Sequence, residues 1–388
     1  MARPQHQFMS ARALRGLTAA GGVVLATVLV SCGSLNRALD NRALEAKAAL
    51  VVARAPTETR SQALPFSTSE DLERATRSTR IMTPEITPLV THRVGDSTLT
   101  QLRLEFPSRV TLEHVESNQA VAYLYVHGHL GNRPVVLWVP GAYVSDAAFT
   151  PIGWFFAKIL EHDMDILFYV PPYHLERTPA GFESGDAFLA TDFVDHLRTF
   201  EQELADLRDL LGWLRAQGVQ HIGAFGGSTG ASMLLNVATW EPAFDFMTLM
   251  IPVIRWDQVV LETDELAPVR QALIARGVTS EEARTAYLAL NPTDRSPCID
   301  PDRISVLYGE FDRLARSGPI LEWARAWGVE DLHVYSRGHS LMLFTPSMFD
   351  DYGRVLDGEA RRLRAGTVEA ETTAVRCEDT GVSTTSSR

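Results

Sequence analysis

The chain has 388 residues, 45% of them hydrophobic and 22% charged, the proportions of an ordinary globular protein and not of a long disordered chain or a membrane bundle. That length holds one large domain or two small ones. A formal charge of −12 repels nucleic acid and anionic lipid headgroups, so no nucleic-acid partner is expected.

In chain order, Arg3, Arg12 and Arg15 precede an apolar run, Gly21 to Val30. The run is too short to span a bilayer as a mature helix and it ends in small residues, which predicts a secretory signal over residues 1–31. Leu29-Val30-Ser31-Cys32 resembles the lipobox of bacterial lipoproteins, which implies a lipid-modified Cys32 as the mature N-terminus. An uncleaved anchor, or a plain signal peptide followed by a chance cysteine, are the alternatives. Gly33 and Ser34 include no Asp at the inner-membrane retention position. By the same resemblance, an outer-membrane lipoprotein facing the periplasm of a Gram-negative source is expected, held firmly by several acyl chains. Export permits Cys298 and Cys377 to pair without requiring it.

Residues 32–84 read as a tether. Asn36-Arg37-Ala38-Leu39 recurs as Asn41-Arg42-Ala43-Leu44, and the Ala/Leu-rich stretch to Arg54 predicts a helix. From Ala55 to Pro88 the composition turns to Thr, Ser, Pro, Glu and Arg, as in a linker. Residues 366–388 end in Thr, Ser and Gly and are expected to be disordered.

Between those ends, 85–365 reads as one domain. Thr98–Phe106 and Ala120–Val126 alternate apolar and polar residues, as half-buried antiparallel strands do. Val135–Val139, Ile166–Val170, His221–Phe225, Met247–Val253 and Ile304–Tyr308 are short apolar runs suited to a parallel sheet covered on both faces. Helical segments separate them at Thr150–Glu161, Phe193–Ala216, Ala231–Trp240 and Pro319–Trp327. This alternation predicts a doubly wound α/β sheet with an antiparallel start. Residues 254–300, helical and lying between two strands, are expected to form a small cap.

The strand at 221–225 runs straight into Gly226-Gly227-Ser228-Thr229-Gly230, and a helical run follows. This is G-x-S-x-G in the strand–turn–helix setting that exposes a nucleophilic serine. The turn is sharp, so the positions two residues either side of Ser228 must lack side chains, and both are glycine. A glycine-rich turn that only packs helix on strand is the competing reading. A serine hydroxyl needs a base to take its proton, and in such sheets the acid precedes the base in the chain. Asp312 follows the strand 304–308, and His339 follows Leu332-His333-Val334-Tyr335. Asp257 is the alternative carboxylate; His221 and His333 are competing bases, one at the wrong end of its strand and one inside a strand. The expected oxyanion donors are the N–H of Thr229 and, from Pro140-Gly141-Ala142-Tyr143, that of Ala142.

Several stretches together resemble the α/β-hydrolase-domain-containing 18 family over roughly residues 130–360. They are Pro171-Pro172-Tyr173-His174-Leu175-Glu176-Arg177-Thr178-Pro179, the serine turn, Ile251-Pro252-Val253-Ile254-Arg255-Trp256 and Gly338-His339-Ser340-Leu341-Met342-Leu343-Phe344. The resemblance implies the α/β-hydrolase fold, a serine hydrolase of esterase or lipase type, and Ser228, Asp312 and His339 as its triad. The chain departs from that family at Pro140–Asp146 and at Arg313-Leu314-Ala315.

The loop 171–186 follows a central strand and is expected to rim the pocket. His174 and Arg177 then bind a polar substrate head, or else Arg177 pairs with Glu183 or Asp186 in a structural loop. His127-Gly128-His129 has metal-ligand spacing, but no H-E-x-x-H or cysteine pair accompanies it, so neither metal nor cofactor is expected. The expected reaction is acyl transfer on a small-molecule or lipid ester. A serine peptidase, or a hydrolase-fold lipoprotein acting as a non-catalytic scaffold, is the alternative.

Overall fold

The structure, a computed structural model, describes residues 42, 46, 48, 63–78, 81–94, 97–145, 148–190 and 192–366. The signal segment, Cys32, Cys377 and the tail beyond residue 366 lie outside the described residues. Among the described residues, nine strands form one sheet: β1 (Glu85–Val94), β2 (Ser97–Pro107), β3 (Gln119–His127), β4 (Val135–Val139), β5 (Asp165–Val170), β6 (Ile222–Gly227), β7 (Phe246–Met250), β8 (Ile304–Gly309) and β9 (Asp331–Tyr335). Their order is β1-β2-β3-β5-β4-β6-β7-β8-β9. Pairing is antiparallel from β1 through β3 to β5 and parallel from β5 onward.

The apolar runs of β4 to β8 are buried along their whole length, as a sheet covered on both faces demands. β3 is also buried throughout except at Gln119, where half-burial was expected. Its tyrosines tolerate this because Tyr123 donates to Glu176 and Tyr125 accepts from Gln101. Crossing helices are α1 (Ser69–Thr76), α2 (Phe149–Glu161), α3 (Asp186–Ala190), α4 (Phe193–Ala216) and α5 (Thr229–Trp240). Between β7 and β8 comes the expected helical insertion: α6 (Trp256–Glu262), α7 (Ala267–Ala275) and α8 (Ser280–Leu288). α9 (Ser317–Trp327) joins β8 to β9, and α10 (Pro346–Gly366) ends the described chain. α10 buries Met348, Phe349, Tyr352, Leu356, Ala360 and Leu363, one helical stripe, and packs on α2.

Two expectations are corrected here. The linker reading fails from Phe66 onward, because Phe66, Leu72 and Met82 belong to the core. Thr68 accepts from the N–H of Asp71 and so caps α1, and α1 lies on α4. β1 follows; its Pro88 sits at a register shift on the edge of the sheet, where a missing N–H costs no ladder bond.

Arg177 is the second correction. It is fully buried and forms an ion pair with Asp206 of α4 at 3.1 Å, not with Glu183 or Asp186. Its two terminal nitrogens also reach the Tyr169 hydroxyl, the carbonyls of Val170 and Ser117, and Gln202. A charge so buried holds its loop to the core instead of meeting substrate. Burial pushes the neighbouring Glu203 carboxyl up to about 8, against the pull of Arg177.

Two substitutions test this packing in denaturant melts. Leu72→Ala is expected to cost about 2–5 kcal/mol as a core truncation; a true linker residue would shift stability by less than about 0.5 kcal/mol. Arg177→Ala is expected to cost about 3–5 kcal/mol, since it strands Asp206 in the interior.

Candidate active site

β6 ends in the glycine turn, and Ser228 follows with φ 49° and ψ −111°, a left-handed conformation unfavourable for a residue with a Cβ. The flanking glycines permit it by close approach. A Cβ at Gly226 would lie 2.5 Å from the Ala231 Cα, and one at Gly230 2.5 Å from the carbonyl oxygens of Val139 and Pro140. The Ser228 N–H donates to the Met250 carbonyl at 2.8 Å, which ties the turn to β7. The side chain therefore stands at the N-terminus of α5 and at the carboxyl edge of the sheet.

His339 and Asp312 arrive on the loops that follow β9 and β8, two adjacent parallel strands. Ser228 Oγ lies 2.8 Å from His339 Nε2. On the other side of the ring, His339 Nδ1 lies 2.7 Å from Asp312 Oδ2. A carboxylate only accepts, so Nδ1 carries the hydrogen and Nε2 is left to accept from the serine. The Asp312 side chain is fully buried, and its other oxygen accepts the N–H groups of Leu314 and Ala315 at 2.9 and 2.8 Å. Buried carboxylates persist when their lone pairs are satisfied in this way.

The competing residues are engaged elsewhere. Asp257 is buried in the cap insertion, bonded by Arg255 and Asn291. Burial raises its pKa, but these bonds outweigh that and hold it below the ordinary carboxylate value. His221 meets Asp245 at the opposite end of β6, and His333 meets Asp331. His127 turns to Asp165, 3.0 Å away, while His129 is exposed, so the two rings do not converge.

Two backbone N–H groups flank Ser228 without an acceptor among the described residues, those of Thr229 and Ala142. Both residues line the same cavity as Ser228 and His339. The N–H of the next residue, Tyr143, is taken by His174 Nε2 at 2.8 Å. His174 is 1% exposed, so its expected contact with a substrate head gives way to a contact with the loop that carries Ala142.

The cavity measures about 330 Å³. Its walls are apolar and include Ile152, Phe188, Trp256, Val260, Leu266 and Leu343, drawn from α2, α3, the cap insertion and the loop after His339. Sequence reading assigned no role to any of these wall residues, and three cavity residues show why. Phe188 sits on the short α3, which has no periodicity to announce it. Ala48, inside the expected tether, is 2% exposed and lines the cavity. His196 of α4 also lines it; its Nδ1 donates to the Phe188 carbonyl at 2.7 Å, which leaves Nε2 a lone pair with no partner among the described residues. Burial depresses the His196 pKa to about 4 and keeps the ring neutral.

No protein-family model matches the chain, and no curated protein matches its sequence. Solved structures do. Acetyl xylan esterase 1 from Thermoanaerobacterium superposes with a TM-score of 0.51 at 16% identity, over 77% of this chain and 96% of that one. An acetyl xylan esterase from Paenibacillus gives 0.53 at 11% identity, over 80% and 98%. Identities this low speak for architecture alone. With its mostly parallel nine-stranded sheet, serine turn and matching solved structures, the chain has the α/β-hydrolase fold.

Proposed function

We propose that the protein is a serine hydrolase of esterase or lipase type that cleaves a carboxylic ester through an acyl-enzyme on Ser228. The observation that carries this reading is the unbroken hydrogen-bonded line from Ser228 Oγ through His339 to Asp312. The acetyl xylan esterases that share the fold cleave esters by name, which adds weight to an ester over an amide.

In this mechanism His339 Nε2 takes the proton of Ser228 as Oγ attacks the ester carbonyl. Asp312 stabilises the imidazolium through Nδ1–H. The negative charge that develops on the carbonyl oxygen is met by the N–H groups of Thr229 and Ala142 and by the N-terminal end of α5. His339 then gives its proton to the leaving alcohol. Water, deprotonated by the same ring, releases the acid. The apolar walls favour an ester with a hydrocarbon acyl or alcohol part, as in a lipid.

We further infer that a lipid on Cys32 anchors the protein to the outer membrane, facing the periplasm. Ala48, on the cavity wall, is sixteen residues from Cys32, a reach of at most about 55 Å in extended chain. The cavity is thereby kept near the bilayer surface, where lipid esters are found. Cys298 is disulfide-bonded, and acylation of Cys32 leaves Cys377 as its partner.

Ser228→Ala is expected to lower hydrolysis of p-nitrophenyl esters at least about 10³-fold and to abolish labelling by a fluorophosphonate probe. Retained turnover would reject the nucleophile, and a folded wild type that neither labels nor turns over would be a scaffold instead. Metabolic labelling with a palmitate analogue is expected for the wild type and not for Cys32→Ser. Non-reducing peptide mapping should join Cys298 to Cys377; a Cys298–Cys32 linkage would overturn the lipid anchor.

A further inference from the structure

The segment Pro171–Pro179 stands out in the sequence, yet neither its histidine nor its arginine touches the cavity. Arg177 is accounted for by the core. His174 is not, and its two ring nitrogens define a specific job. Nδ1 lies 2.7 Å from the Pro172 carbonyl oxygen, which can only accept, so Nδ1 carries the hydrogen. Nε2 then holds a lone pair and accepts the Tyr143 N–H at 2.8 Å. The histidine is a neutral connector of fixed tautomer between two loops.

The loop it grips is the one next to Ser228. Tyr143 has φ 65°, a left-handed conformation that a tyrosine holds only when its surroundings impose it. Ser184 adds a second stitch, since its hydroxyl donates to the Val144 carbonyl and accepts the N–H of Leu175 at 2.9 Å. Gly185 closes the clamp. A Cβ there would lie 2.8 Å from both His174 Nε2 and the Tyr143 Cα, so the two loops meet with no room for a side chain. With the Tyr143 N–H directed to His174, the peptide before it presents the Ala142 N–H, which has no acceptor among the described residues.

We propose that His174 is a positioning residue for acyl transfer: by accepting the Tyr143 N–H it holds the Ala142 N–H toward the oxyanion formed at Ser228. This rests on the serine-hydrolase reading above. His174 acts through the loop, not on substrate. Its loss therefore weakens binding of the transition state and leaves binding of the ester nearly unchanged.

The test uses the full chain with a p-nitrophenyl ester and phenylboronic acid, whose tetrahedral serine adduct mimics the intermediate. His174→Phe keeps the ring and removes the acceptor. It is expected to lower kcat about 10- to 10³-fold, the range for losing one oxyanion donor, with KM within about twofold. Boronate inhibition should weaken in step with kcat. His174→Gln, which returns an acceptor oxygen, is expected to recover most of kcat. Should His174→Phe not fold, Gly185→Ala presses on the same contact from the other side and is expected to lower kcat with KM kept. Unchanged kcat in both folded variants overturns the proposal, and so does a raised KM at unchanged kcat, which would make His174 a substrate contact. In either case an active wild type leaves the serine-hydrolase reading standing. A wild type with neither turnover nor fluorophosphonate labelling removes that reading and this proposal with it.

Discussion

Ser228 occupies a backbone conformation that an isolated chain would avoid, and the site is assembled around that fact. A residue held at φ 49° and ψ −111° costs about 1–3 kcal/mol. The cost is borne because the turn between β6 and α5 is fastened on every side. Its N–H is bonded to β7, Gly226 lies against α5, and Gly230 lies against the end of β4. Relaxing the serine would break the packing of a buried strand on a buried helix. The interior is stiff enough to keep it strained.

Holding the serine there places it at the start of a twelve-residue helix and at the carboxyl end of a parallel sheet, where loops from neighbouring strands gather. Asp312 and His339 come from the loops after β8 and β9, which pair directly. Their approach to each other is therefore set by strand register. The loop proposed to stabilise the oxyanion comes from β4, on the other side of β6. In the proposed mechanism the serine thus stands between a proton-transfer arm on one flank and a charge-stabilising arm on the other. The second arm is braced by the segment after β5, through His174 and Ser184. Strand order β5-β4-β6-β7-β8-β9 is in this sense also the order of the proposed chemistry. The cavity is walled by α2, α3, the cap insertion, the loop after His339 and Ala48.

Where residue patterns misled, the cause was long-range contact. Arg177 sits in a polar loop, and its partner Asp206 is twenty-nine positions away on α4. Nothing local separates a guanidinium that rims a pocket from one that is paired in the core. Phe66 and Leu72 lie in a stretch whose Thr, Ser and Pro content resembles a linker. Leu72 is buried because α1 lies on α4, and Phe66 joins the same core, contacts that no local pattern announces. β1 escaped notice because Pro88 interrupts it, and an edge strand with a register shift absorbs that proline. α10 carries a regular apolar stripe that was readable in principle.

Local chemistry that must be written into adjacent residues was legible without coordinates. The buried strands announce themselves as apolar runs, with β4 and α4 falling at the expected residues. The strained turn needs glycine at 226 and 230, and Asp312 and His339 each follow the carboxyl end of a strand-like run. Meeting distances belong to the tertiary structure alone. It decided that position 312 and not 257 faces the imidazole, that His174 serves the backbone of a neighbouring loop, and which side chains wall the cavity. Those outcomes depend on register and packing between segments far apart in the chain, and the sequence of either segment alone carries no record of them.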